Sequence, residues 1–140
     1  MTSQIALFND ACALVFKLLY ERFPIPCELD LRDVGFFRRH DISDEGENLR
    51  RVLYSTLEFL RDEGFILFAY YSDTPTYGIK NARLTAKGLS KLQRIPDGIK
   101  PNAKPLIAQL IDATSSIGQN ASTAATSEAV KRILGMVFGV

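Results

Sequence analysis

Leu57-Glu58-Phe59-Leu60-Arg61-Asp62-Glu63-Gly64-Phe65-Ile66 decides how this chain is organised, because an amphipathic pattern stops at a glycine and an apolar run begins. Upstream, Leu49, Val52, Leu53, Thr56, Leu57 and Leu60 recur at three- and four-residue steps. They share one stripe of a helix and leave Arg50, Arg51, Tyr54, Ser55, Glu58 and Arg61 on the opposite face. Ser43 or Asp44 is placed as the N-cap, with Glu47 three residues after Asp44 as in a capping box. Gly64 can take the left-handed conformation that closes a helix. Beyond it, Phe65-Ile66-Leu67-Phe68-Ala69-Tyr70-Tyr71 is aromatic-rich and too short for a typical globular helix, which predicts a well-buried strand.

Working outward toward the C-terminus, 72–76 is a loop and 77–84 returns as a second strand. Its apolar residues change parity between Ile79 and Ala82, which predicts a bulge near Asn81 with Asn81 and Arg83 pointing outward. In Leu84-Thr85-Ala86-Lys87-Gly88, Thr85 is placed to cap a short helix through about residue 94. Leu89 and Leu92 face inward there, while Lys87, Lys91 and Arg94 face solvent. Pro96-Asp97-Gly98 stops this helix and marks a boundary near residue 97.

Toward the N-terminus, Leu7, Phe8, Ala11, Cys12, Val15, Phe16, Leu18 and Leu19 predict a first helix over 5–23 that Pro24 and Pro26 end. Cys12 falls within its apolar stripe and reads as core. Cys27-Glu28-Leu29-Asp30-Leu31 alternates at period two and predicts a short strand. Val34, Phe36 and Phe37 suggest a short helix that Arg38-Arg39-His40 closes with positive charge.

Three divisions follow: a domain over 1–97, a linker over 98–105 and a mostly helical tail over 106–140. Residues 106–113 form an apolar helix candidate, and 114–127, rich in Ser, Ala and Thr, is expected to be mobile. A last helix over 129–138 carries Val130, Ile133, Leu134, Val137 and Phe138 on one face. That face is expected to make an oligomer contact, most simply a two-fold dimer, or to dock on a partner protein. Folding back onto the chain's own domain is the alternative. Membrane attachment is disfavoured, because only Lys131 and Arg132 supply positive charge to the helix.

The 140 residues are 46% hydrophobic and 24% charged, ordinary globular usage that allows a packed core without disulfides or metal. One histidine and two cysteines outside any CxxC spacing leave little for a metal site, and no cofactor is expected. No apolar run nears the roughly 18 residues of a membrane span, and no secretory signal opens the chain, so a cytoplasmic location is the expectation. Nothing pairs a nucleophile with a base or builds a glycine-rich phosphate loop, which disfavours an enzyme. The net charge is +1, but it is unevenly laid out. From Glu28 to Glu63 ten acids outweigh six Lys or Arg, a balance of −4, whereas 79–100 holds six basic residues and one acid, a balance of +5.

The order of helix, short strand, helix, helix, strand, wing, strand and short helix resembles the winged-helix superfamily over roughly residues 5–95. The helix that turns through Gly64 into a strand and the Leu84-Thr85-Ala86-Lys87-Gly88 segment carry the resemblance, the latter similar to the segment after the wing in many bacterial regulators. The resemblance implies an α+β fold and binding of double-stranded DNA, in a transcriptional regulator, by a recognition helix over 47–63. Arg50, Arg51, Tyr54 and Ser55 would meet base edges or phosphates, Lys80 and Arg83 would reach the neighbouring backbone, and Arg38 and Arg39 would hold phosphate. The second reading is a non-catalytic winged-helix interaction module that self-associates through its tail, favoured by the acids Asp44, Glu45 and Glu47 at the start of the recognition helix.

Overall fold

The computed structural model describes residues 4–30, 44–70, 78–96, 104–114 and 124–139. Among them lie α1 (Gln4–Arg22), β1 (Cys27–Asp30), α2 (Asp44–Asp62), β2 (Ile66–Tyr70), β3 (Gly78–Leu84), α3 (Ala86–Gln93), α4 (Leu106–Thr114) and α5 (Ala124–Phe138). The architecture is α+β, with an open antiparallel sheet ordered β1-β3-β2. The short helix expected around 34–37, together with Arg38 and Arg39, lies outside the described residues.

In α2 the predicted stripe is buried from Val52 onward, through Leu53, Thr56, Leu57 and Leu60, while Leu49 in the first turn is only half-buried. Thr56 is tolerated there because its hydroxyl donates to the Val52 carbonyl at 2.6 Å, so no polar atom is stranded. Gly64 ends the helix at φ 82°, with its N–H on the Arg61 carbonyl at 3.0 Å and the Phe65 N–H on the Leu60 carbonyl at 2.8 Å. These are the two bonds of a Schellman motif. Buried Leu60 and Phe65 stand at the positions that usually share its apolar contact.

The Leu84-Thr85-Ala86-Lys87-Gly88 segment latches α3 onto that same turn. Thr85 caps α3 by accepting from the Gly88 N–H at 3.0 Å, and its hydroxyl donates to the Gly64 carbonyl at 2.6 Å. The Thr85 N–H donates to the Phe65 carbonyl at 3.0 Å, and Lys87 Nζ donates to the Glu63 carbonyl at 2.7 Å. Gly88 packs so closely that a Cβ there would lie 2.3 Å from the Phe65 oxygen. The end of α2, the start of β2 and the start of α3 therefore form one hydrogen-bonded unit.

The predicted bulge is present. Asn81 has φ 55°, and in both pairings β3 uses one residue more than its neighbour: Arg83 and Lys80 pair with Leu67 and Ala69, while Ala82 and Ile79 pair with Cys27 and Leu29. Without the extra residue Ile79 and Ala82 would lie on opposite faces; with it both are buried. β2 departs from the expectation of a well-buried strand. It is an edge strand of this sheet, and Leu67 and Tyr70 remain 46% and 45% exposed.

The larger departure concerns α1 and the tail. Seven consecutive residues of α1, Asp10 to Phe16, are buried, so the helix is enclosed around its circumference and not along one stripe. It contacts α2 and β3 as well as α4 and α5. Leu106, Ile107 and Leu110 of α4 and Val130, Ile133, Leu134 and Val137 of α5 belong to the same buried cluster as the residues of α1, α2 and the sheet. Phe138 completes it, with ring centroids 5.2 Å from Phe65, 5.8 Å from Phe59, 6.1 Å from Phe16 and 6.3 Å from Phe8. The division expected near residue 97 is thus not a division of the core, and the α5 face expected to serve a partner is covered by the chain itself. α5 also begins earlier than expected, so residues 124–127 are helical. The Leu106 N–H on the Arg94 carbonyl, at 2.9 Å, fastens the start of α4 to the end of α3.

Candidate nucleic-acid interface

Residues 50, 51, 54 and 55 of α2 divide between two sides of the helix. Arg50 and Tyr54 are one turn apart on the side toward the hairpin. Arg50 Nη2 lies 2.6 Å from Glu47 Oε2, and its side chain is only 18% exposed. The Tyr54 ring sits 6.3 Å from that of Tyr70. The same side carries Arg61, whose guanidinium stacks 4.6 Å above Phe68 and 5.8 Å from Tyr70, and lies 3.9 Å from Glu58. Partial burial, then the Glu58 charge and the hydrogen bond to that carboxylate, push the Tyr70 hydroxyl above its ordinary pKa. These contacts fasten α2 to β2, and they occupy groups that base reading would need free.

Arg51 and Ser55 are exposed on the other side, where α2 faces the start of α1. They line a groove of about 450 Å³ together with Ile5, Phe8, Val52 and Phe59. Gln4 and Asn48, also lining it, exchange two amide hydrogen bonds of 3.1 and 2.8 Å that pin α1 to α2. Ile5 is 66% and Phe59 39% exposed, so the groove offers apolar surface beside a guanidinium.

Lys80 and Arg83 belong to a different surface. Their partners across the sheet are Ala69 and Leu67, whereas the flanking pairs, Ile66 with Leu84 and Tyr70 with Ile79, point to the side that packs on α2. Side chains alternate along a strand, so Lys80 and Arg83 look away from α2. Glu28 of β1 is exposed one residue from both Cys27 and Leu29, which places it on that outer face as well.

The residues singled out in the sequence are therefore not assembled into one surface. Arg51 and Ser55 stand on the groove side of α2, Arg50 and Tyr54 are engaged with Glu47 and Tyr70, and Lys80 and Arg83 lie behind the sheet. Of the tail residues, Val130, Ile133, Leu134 and Val137 are inside the core and Phe138 is half-buried in the aromatic cluster. Lys87, Lys91 and Arg94, read in the sequence only as solvent-facing, fall in the stretch 79–100 that carries the +5 balance, and Lys87 and Arg94 are exposed.

Cys12 is fully buried, and burial pushes its thiol well above the ordinary range; Cys27 is half-buried, with Sγ 3.6 Å from the Ala82 carbonyl. Among the described residues no group of three or more His, Cys, Asp and Glu could hold a metal ion. No described helix is long and apolar enough to cross a membrane. In comparison with known proteins, the chain matches no family model, no curated protein and no solved structure.

Proposed function

We propose that this chain is a winged-helix protein that binds double-stranded DNA, with α2 as the helix presented to the duplex. The observation that carries the reading is the strand order β1-β3-β2 behind a helix that turns through Gly64 directly into the hairpin. That layout is compatible with a winged helix, in which the strand before the second half of the domain pairs with the returning strand of the wing. Arg51 and Ser55 are the exposed α2 side chains placed to meet phosphate or base edges, while Arg50 is paired with Glu47 and Tyr54 packs against Tyr70 of the hairpin. Lys80 and Arg83 supply further positive charge. Fluorescence anisotropy with a labelled random-sequence duplex at low salt tests this directly. Binding that weakens steeply as salt rises is the expected result, since neutralised phosphates release counterions. No binding at low salt would sink it.

A protein-interaction module is the second reading, favoured by the exposed Ile5 and Phe59 beside Arg51 in the α1–α2 groove. An oligomer or partner contact would then use that groove. The apolar face of α5 is already covered.

A further inference from the structure

Between Gly78 and Pro96 the chain holds Lys80, Arg83, Lys87, Lys91 and Arg94 and no Asp or Glu. Among the described residues, Lys80, Arg83, Lys91 and Arg94 enter no ion pair. Lys87 is held by the Glu63 carbonyl and by the Phe65 ring 4.8 Å away, both uncharged, so its charge is not cancelled. Lys87 and Lys91 are one turn apart on α3, and Arg94, its C-cap residue, follows three residues after Lys91 on the same side. Arg83 stands exposed two residues before the Thr85 cap.

We propose that this β3–α3 face binds the phosphate backbone of duplex DNA irrespective of sequence, with Arg83, Lys91 and Arg94 as its main contacts. The inference rests on the DNA-binding reading above and moves the main phosphate contacts from α2 to the end of the hairpin and α3. Lys87 and the C-cap Arg94 stand seven positions apart, about 10 Å along the α3 axis at 1.5 Å per residue. A duplex strand advances roughly 3.4 Å along its axis per phosphate, so a stripe of this length can meet more than one phosphate of a strand. On α2 the acids Glu47, Glu58 and Asp62 stand beside Arg50 and Arg61, so that helix presents little net positive charge, whereas Arg83, Lys91 and Arg94 have no acid paired to them among the described residues. Lys80 contributes less, because Glu28 shares the outer face of the sheet.

An anionic membrane is the other polyanion such a face could meet, and the surface argues against it. α3 turns Leu92 fully into the core and packs Leu89 against it, which leaves no apolar face to insert among lipids. Leu67 and Ile95 are exposed nearby only as single aliphatic side chains.

The test is the salt dependence of anisotropy with a labelled random-sequence duplex, from about 50 to 200 mM salt. Arg83→Gln, Lys91→Gln and Arg94→Gln combined should lower the slope by on the order of two to three units, whereas Arg51→Gln should lower it by about one at most. Arg83→Lys with Arg94→Lys should keep the wild-type slope, which separates loss of charge from loss of structure. If the triple variant does not melt cooperatively, single Arg83→Glu and Arg94→Glu variants read the same slope. A triple variant that melts like wild type and keeps its slope overturns this inference and leaves DNA binding standing. Absence of wild-type binding overturns both. Tighter binding to phosphatidylserine vesicles than to the duplex overturns the choice of DNA.

Discussion

Gly88 and Gly135 both sit in helices, yet their surroundings predict opposite responses to the same substitution. At Gly88 an added Cβ would lie 2.3 Å from the Phe65 carbonyl oxygen, a backbone atom that cannot move without pulling the α2 turn apart. Gly88→Ala should cost on the order of 1 to 3 kcal/mol, the usual range for overpacking. Gly135 has nothing within 4 Å of the same hypothetical atom. Gly135→Ala should therefore stabilise by roughly 0.5 to 1 kcal/mol through helix propensity alone. Urea unfolding of the two variants checks both, and equal shifts of the same sign would contradict the latch. The two cysteines should also part company. The thiolate is the reactive form, and burial disfavours it at Cys12, so a thiol reagent should label Cys27 in the native protein and Cys12 only after unfolding.

α2 shows how one element serves two neighbours. Its buried stripe meets α1, and its opposite side is fastened to the hairpin through Tyr54, Glu58 and Arg61. Leu57 is 2% exposed in the middle of that stripe, and Leu57→Ala should cost about 2 to 5 kcal/mol, read as a lowered denaturation midpoint. A loss below about 0.5 kcal/mol would contradict the helix register. Spacing alone located this stripe because a 19-residue helix leaves few ways to place five apolar side chains and Thr56 on one side. Which polar residues stay free was not legible in the same way. Arg50 and Arg51 are equivalent as symbols, and only the positions of Glu47 and the α1–α2 groove separate them.

At the scale of the whole molecule, α1 is the shared wall between α2 with the sheet on one side and α4 with α5 on the other. α4 and α5 place seven apolar side chains, Leu106, Ile107, Leu110, Val130, Ile133, Leu134 and Val137, in the common core at 3% exposure or less. Each is worth about 1.5 to 3 kcal/mol of burial, so together they are as large as or larger than a typical net stability of about 5 to 15 kcal/mol. A chain ending at Lys104 should therefore lose cooperative unfolding or aggregate through the uncovered side of α1. Calorimetry and light scattering decide it: a monomeric, truncated chain with the full-length melting temperature would mean that the tail adds nothing to the core.

Period and punctuation in the sequence determined the elements: the α2 stripe, its stop at Gly64, the Thr85 cap and the bulge at Asn81 each depend on residues close in the chain. Local backbone geometry leaves such residues little choice, which is why they could be read one after another. Tertiary structure alone decided what covers α1, where the α5 face goes and which cations remain unpaired. Those outcomes depend on partners far apart in the chain, and an apolar face carries no label for the surface that will bury it.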